Sequence, residues 1–76
     1  MDFKLSDHAK KRMGKRKVKI EWVQAALDHP DIIENDKEDV RLAHALKAIP
    51  DRGFKVLKVV YNETTDPVTV VTVFFE

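Results

Sequence analysis

Val68-Thr69-Val70-Val71-Thr72-Val73-Phe74-Phe75 is the stretch on which the fold turns. Every residue in it is β-branched or aromatic and none carries a charge, which is the composition of a strand. A strand so long and apolar is a pairing hazard at a sheet edge. It is therefore expected inside a sheet or in a subunit interface, where it could join two copies as a homodimer. Working back, Asn62 to Pro67 reads as a turn. Phe54 to Tyr61 is apolar on both faces apart from Lys55 and Lys58, as a central strand is. Pro50-Asp51-Arg52-Gly53 is a strong turn signal. Before it, Val40 to Ile49 alternates: Val40, Leu42, His44, Leu46 and Ala48 on one face, Arg41, Ala43, Ala45, Lys47 and Ile49 on the other. The acidic turn Asn35 to Asp39 separates this strand from a short extended segment at Ile32 and Ile33.

The N-terminal third has the helical period instead. Ser6 sits where an N-cap belongs, and Asp7 in the first turn favours the helix dipole. A first helix is expected over Asp7 to Arg16. Its apolar stripe is only Ala9 and Met13, while His8, Lys11, Arg12 and Lys15 share the opposite side, so its cationic face should point outward. A break near Lys17 leads to a second helix, Ile20 to Asp28, stopped by Pro30. Its apolar residues cover more than half the wheel, so it is expected between helix 1 and a sheet. Phe3 and Leu5 alternate with polar neighbours as a short first strand. The order is (β)–α–α–β–β–β–β. The fold class is α+β, two N-terminal helices packed on a curved antiparallel sheet of about four strands.

The chain has 76 residues, 43% hydrophobic and 36% charged, a length that supports one domain. The absence of cysteine excludes disulfides, thiolate zinc sites and a cysteine nucleophile. Gly14 and Gly53 are too isolated for a glycine-rich phosphate cradle. Ser6 is the only serine a hydrolase could use. No apolar run approaches the ~20 residues that cross a membrane, and Met1 to Lys4 is no signal-peptide core. A soluble, cytoplasmic protein is the expectation. The net charge of +1 hides segregation: residues 1–19 hold eight Lys/Arg against two acids, and residues 20–39 hold one against seven. Such poles favour an anionic partner at one place, although solvated faces would look the same.

Leu5-Ser6-Asp7-His8-Ala9-Lys10-Lys11-Arg12-Met13 resembles a widespread bacterial and phage family of unknown function. That family's signature reads roughly L-S-x-H-A-x-x-R-M, then R-G-[IV] and a V-x-x-x-L helix ending in Pro. Arg16 and Val18 flank the R-G-[IV] site, and Val23, Leu27 and Pro30 match the second helix and its stop. Phe54 to Val60 looks like the family's L-x-V-V-V strand, and Val70-Val71-Thr72-Val73 like its closing V-I-T-V strand. The family is similar in layout to the RelE/ParE/BrnT-like fold of toxin–antitoxin modules, many of whose toxins cut mRNA, often on the ribosome. The resemblance implies a RelE/BrnT-like domain over residues 1–76. It also implies an RNA-binding, toxin-like protein that acts as a metal-independent ribonuclease, with RNA or the ribosome and an antitoxin-like protein as partners. Two positions depart from the pattern: Lys17 stands where the family usually has Gly, and Lys19 where it tends to place Ser or Thr. Both changes add a cation.

The candidate chemistry lies in a few side chains. His8 and Arg12 are one helical turn apart, and an imidazole beside a guanidinium suits acid–base work on a phosphodiester. His8 could equally lock the helix to the sheet, and Arg12 could pair with an acid such as Asp28 or Glu34. His44 is a second proton-transfer candidate, or a half-buried packing residue. Lys11, Lys15, Arg16, Arg41 and Lys47 are candidate nucleic-acid contacts; Arg41 and Lys47 share a face with two alanines that leave room for an RNA backbone. Tyr61 could stack on a base or simply pack. His8, His29 and His44 have no metal-ligand spacing, so neither metal nor cofactor is expected. The alternative reading is a non-catalytic module that pairs with another protein through its last strand or its acidic middle.

Overall fold

Ser6 does two jobs at the start of the chain. Its hydroxyl oxygen accepts the Ala9 N–H at 3.0 Å, capping the first helix, and its hydroxyl donates to the Val71 carbonyl at 3.0 Å. One residue thus starts the helix and ties it to the last strand. The computed structural model describes residues 1–76. The elements are β1 (Phe3–Leu5), α1 (Asp7–Arg16), α2 (Ile20–Asp28), β2 (Ile32–Asn35), β3 (Leu42–Ile49), a 3-10 turn (Pro50–Arg52), β4 (Lys55–Asn62) and β5 (Val68–Phe75).

The sheet order is β1-β5-β4-β3-β2. β1 runs parallel to β5, and the other three pairs are antiparallel. The sheet therefore has five strands and is mixed, where about four antiparallel strands were expected. The extra strand is the N-terminal one, which covers the first three residues of β5. As a result β5 lies inside the sheet over Val68 to Val70. A bulge explains why β5 does not alternate strictly. Val60 faces Thr72 but Tyr61 faces Val70, which leaves Val71 without a partner on β4. The extra residue brings both Val70 and Val73 to the helix side, where each is 0% exposed, and frees the Val71 carbonyl for Ser6.

Both helices lie on one face. α1 packs on β5 and β1, and α2 packs on β3 and β4, so they share a layer and α2 is not sandwiched beneath α1. Ala9, Ala26, Ala43 and Ala45 are all buried in the core cluster with Val23, Leu57, Val59, Val70 and Val73. These small residues let helix and strand backbones approach closely. The other sheet face carries no helix. Leu46 and Val60, which point to that side beside Lys58, His44 and Thr72, are nevertheless only 8% and 7% exposed.

Lys17 ends α1 in the left-handed region (φ 54°, ψ 45°), and Val18 N–H closes onto the Met13 carbonyl at 2.9 Å. The backbone thus keeps the geometry a glycine would have there. Lys19 caps α2 with no side-chain hydrogen bond. β3 begins at Leu42, two residues later than its alternation suggests. Asp39 draws Arg41 N–H onto its own carboxylate and Leu42 N–H onto its carbonyl, so Val40 is left in a turn. No helix is long and apolar enough to cross a membrane.

Candidate functional site

Of the cations of α1, Lys11, Lys15 and Arg16 are exposed and Arg12 is half-buried, and they lack acidic partners. None of the chain's ion pairs involves Lys11, Arg12, Lys15 or Arg16. Arg12 Nε donates to His8 Nε2 at 3.4 Å, the one-turn contact their spacing suggests. One turn further, the Arg16 guanidinium lies 6.0 Å from the centre of the Phe74 ring. The last turn of a helix is where cations are favoured by its dipole.

Phe74 and Phe75 end β5 on opposite faces, and each gathers cations. Phe74 stands directly across from Lys58 on the helix-free face, with the ammonium 5.7 Å from its ring. Arg16 and Lys58 thus approach the same ring from α1 and from β4. Phe75, on the helix side, meets Trp22 edge to face at 6.1 Å, and Arg52 lies over both rings, 4.7 Å from Phe75 and 5.8 Å from Trp22. Lys19 adds a further cation 5.7 Å from Trp22. Aromatic faces attract cations through their quadrupole, and each such contact is worth about 0.5–1 kcal/mol at an exposed site. Lys58 also pairs with Glu76 at 2.8 Å, whereas Arg16, Arg52 and Lys19 meet no carboxylate.

His44 completes a row across the helix-free face. Its neighbour across the ladder is Val60, so Lys58 is its diagonal neighbour, roughly 7–8 Å away. Arg16, Phe74, Lys58 and His44 therefore run from α1 over β5 and β4 to β3. His44 Nε2 lies 2.8 Å from Asp36 Oδ1. Backbone N–H groups of Asp39 and Glu38, then His44 itself, hold the Asp36 carboxyl below its ordinary range. An ionised Asp36 fixes the orientation of the imidazole, the arrangement a proton-transfer histidine needs. His44, Leu46, Lys58, Glu34 and Glu76 line a shallow cleft on this face.

The remaining candidates fall elsewhere. Arg41 is held by Asp39 through two parallel hydrogen bonds of 3.0 and 2.8 Å. That pairing takes the Asp39 carboxyl down to about 2 and raises the guanidinium. Lys47 Nζ donates to the His29 carbonyl at 2.8 Å and lies 3.9 Å from Asp31. Ala43 and Ala45, the open space expected between these two cations, are 1% exposed beneath α2. No nucleic-acid backbone can lie along that row. Small residues there mark the close approach of a helix. Tyr61 packs in the core, and burial, then Glu63, pushes its hydroxyl up. His8 and His44 do not meet: each engages its own partner, Arg12 and Asp36. No three His, Asp or Glu side chains gather as a metal site would require.

Sequence reasoning missed Phe74 and Arg52, and it noted Lys58 and Lys19 as charges without the aromatic rings they meet. The available signal was the doubled aromatic at the end of β5, which places one ring on each face of the sheet and so requires cover on both.

Residues 5–75 match the family described as Domain of unknown function (DUF4258). Comparison with curated proteins and with solved structures returned no match.

Proposed function

We propose, for a chain that belongs to the DUF4258 family of unknown function, that it binds single-stranded RNA across the helix-free face of its sheet. We read it as a RelE/BrnT-like toxin. The observation that carries this reading is the row Arg16–Phe74–Lys58–His44, with an unneutralised guanidinium at one end. Splayed bases stack on aromatic rings and on guanidinium planes, and sheet faces that carry both are a recurring way to hold single strands. Lys11, Arg12 and Lys15 also lack acidic partners, but α1 covers the other face of the sheet, so they form a separate positive surface.

The chemistry we assign is cleavage by the RNA's own 2′-hydroxyl. One histidine takes the hydroxyl proton, the neighbouring cations steady charge on the phosphorus-bound oxygens, and a proton is returned to the departing 5′ oxygen. His44, oriented by Asp36 and close to Lys58, is the leading candidate; His8 beside Arg12 is the second. Induced expression should then arrest bacterial growth, and His44→Ala should relieve the arrest while the protein stays folded.

The binding test is fluorescence anisotropy with a labelled single-stranded RNA 12-mer between 50 and 200 mM salt. Affinity should fall steeply with salt. Arg16→Ala should weaken binding and flatten the slope of log affinity against log salt by about 0.7, the share of one phosphate contact. Affinity that ignores salt would overturn the reading.

A second reading has its own observation. Ile32 and Ile33 are 56% and 57% exposed on the edge strand β2, beside Asp31, Glu34 and Asp36. A protein partner pairing with that edge would make the chain an interaction module. It should then be harmless on induction and copurify with the partner.

A further inference from the structure

We infer that Phe54 is a base-stacking residue, a second aromatic station for the single strand at the turn between β3 and β4. The inference rests on the RNA reading and narrows its ligand to unpaired bases. Three observations meet at this residue. Phe54 is 68% exposed, so its ring contributes little to the core. Its φ of 62° lies in the left-handed region, where a bulky side chain is disfavoured and glycine or asparagine is the ordinary occupant. Gly53 before it, at φ 65°, already supplies the glycine that such a turn needs. A large apolar ring 68% exposed on a left-handed backbone adds little to the stability of the free protein, and residues of this kind cluster at ligand sites.

The neighbours decide what the ligand is. Arg52 and Lys55 flank the ring in sequence, and neither is paired with a carboxylate; Asp51 is the single acid of the turn. The Arg52 guanidinium is held over Phe75 and Trp22, which keeps it extended beside the turn without neutralising it. An aromatic ring between two cations suits a base and its adjoining phosphates. Lys55 stands across from Ile49 on the helix side, where Arg52 also covers Phe75 and Trp22, so the turn is a station at the end of β4 separate from the Phe74–Lys58–His44 row on the opposite face.

Strain and function separate cleanly in the test. Phe54→Gly and Phe54→Asn both suit the left-handed turn, so both should melt at or above the wild-type temperature. Both should bind the single-stranded 12-mer about tenfold more weakly, because a stacking contact is lost. The salt slope should stay as in wild type, because no cation is removed. Phe54→Trp should keep full affinity, and binding of a 12-base-pair RNA duplex should be the same for all four proteins. If wild type binds the single strand with its salt dependence while both variants bind equally well, the stacking role is overturned and the RNA reading stands. If wild type shows no salt-dependent binding, both fail. A loss of binding that is equal for single strand and duplex would also overturn the stacking role, as would a drop in melting temperature in both variants.

Discussion

Replacing Lys17 by glycine should make the protein more stable, and the size of the gain can be worked from the backbone. Lys17 adopts φ 54° and ψ 45°, and its side chain takes part in no hydrogen bond, ion pair or cation–aromatic contact. The substitution therefore removes no hydrogen bond, ion pair or cation–aromatic contact, and the side chain is exposed. A non-glycine residue in the left-handed region costs about 1–2 kcal/mol. Glycine returns part of that gain, about 0.4–1 kcal/mol, because its unfolded chain is freer. The net gain is about 0.5–1 kcal/mol. A domain of this size shifts its melting temperature by about 4–8 °C per kcal/mol, so a rise of about 2–8 °C is expected. Lys17→Ala keeps the Cβ and the strain, and it is the control. Thermal melts by circular dichroism, checked by urea titration, would measure both variants. A glycine variant no more stable than the alanine variant would refute the reasoning, since it would mean that the left-handed cap carries no cost here.

Ser6→Ala removes the oxygen that accepts the Ala9 N–H and the hydroxyl that donates to Val71; urea unfolding should show a loss of about 1–2 kcal/mol, more than a helix cap alone. Asp36 should shape the acid limb of stability. Its folded pKa lies below the unfolded value of 3.8, so its contribution is fully present above that pH and is lost as pH falls through the folded value. Asp36→Asn should therefore show a flatter decline of stability below about pH 4 than wild type, measured by urea titration at a series of pH values.

The parts of this fold that were legible in the sequence are those set by neighbours in the chain. Ser6 and Pro30 bound the helices locally, and both helices fall on the residues their period marks. What was not legible depends on distant pairing. β1 joins β5 in parallel register across more than sixty residues, and nothing near Phe3 announces it. The doubled Val70-Val71 does break the alternation of β5, but only the partner strand shows that the break is a bulge. In the sequence Ala43 and Ala45 look like open space, because small side chains look alike whether they admit a ligand or a helix. The same limit applies to the site. The one-turn contact of His8 with Arg12 follows from spacing. The row from Arg16 to His44 needs the register of three strands and the position where α1 ends. Arg41 looked free in the sequence only while its bond to Asp39, two residues away, was left out of account.

The most direct test of the central claim is a titration of uniformly nitrogen-15-labelled protein with the single-stranded 12-mer, followed by amide chemical shifts at 50 mM salt. The shifts should concentrate at Arg16, His44, Lys58 and Phe74 and fade as salt is raised. Shifts confined to the acidic edge at Ile32 to Asp39, or absent at saturating RNA, would contradict it.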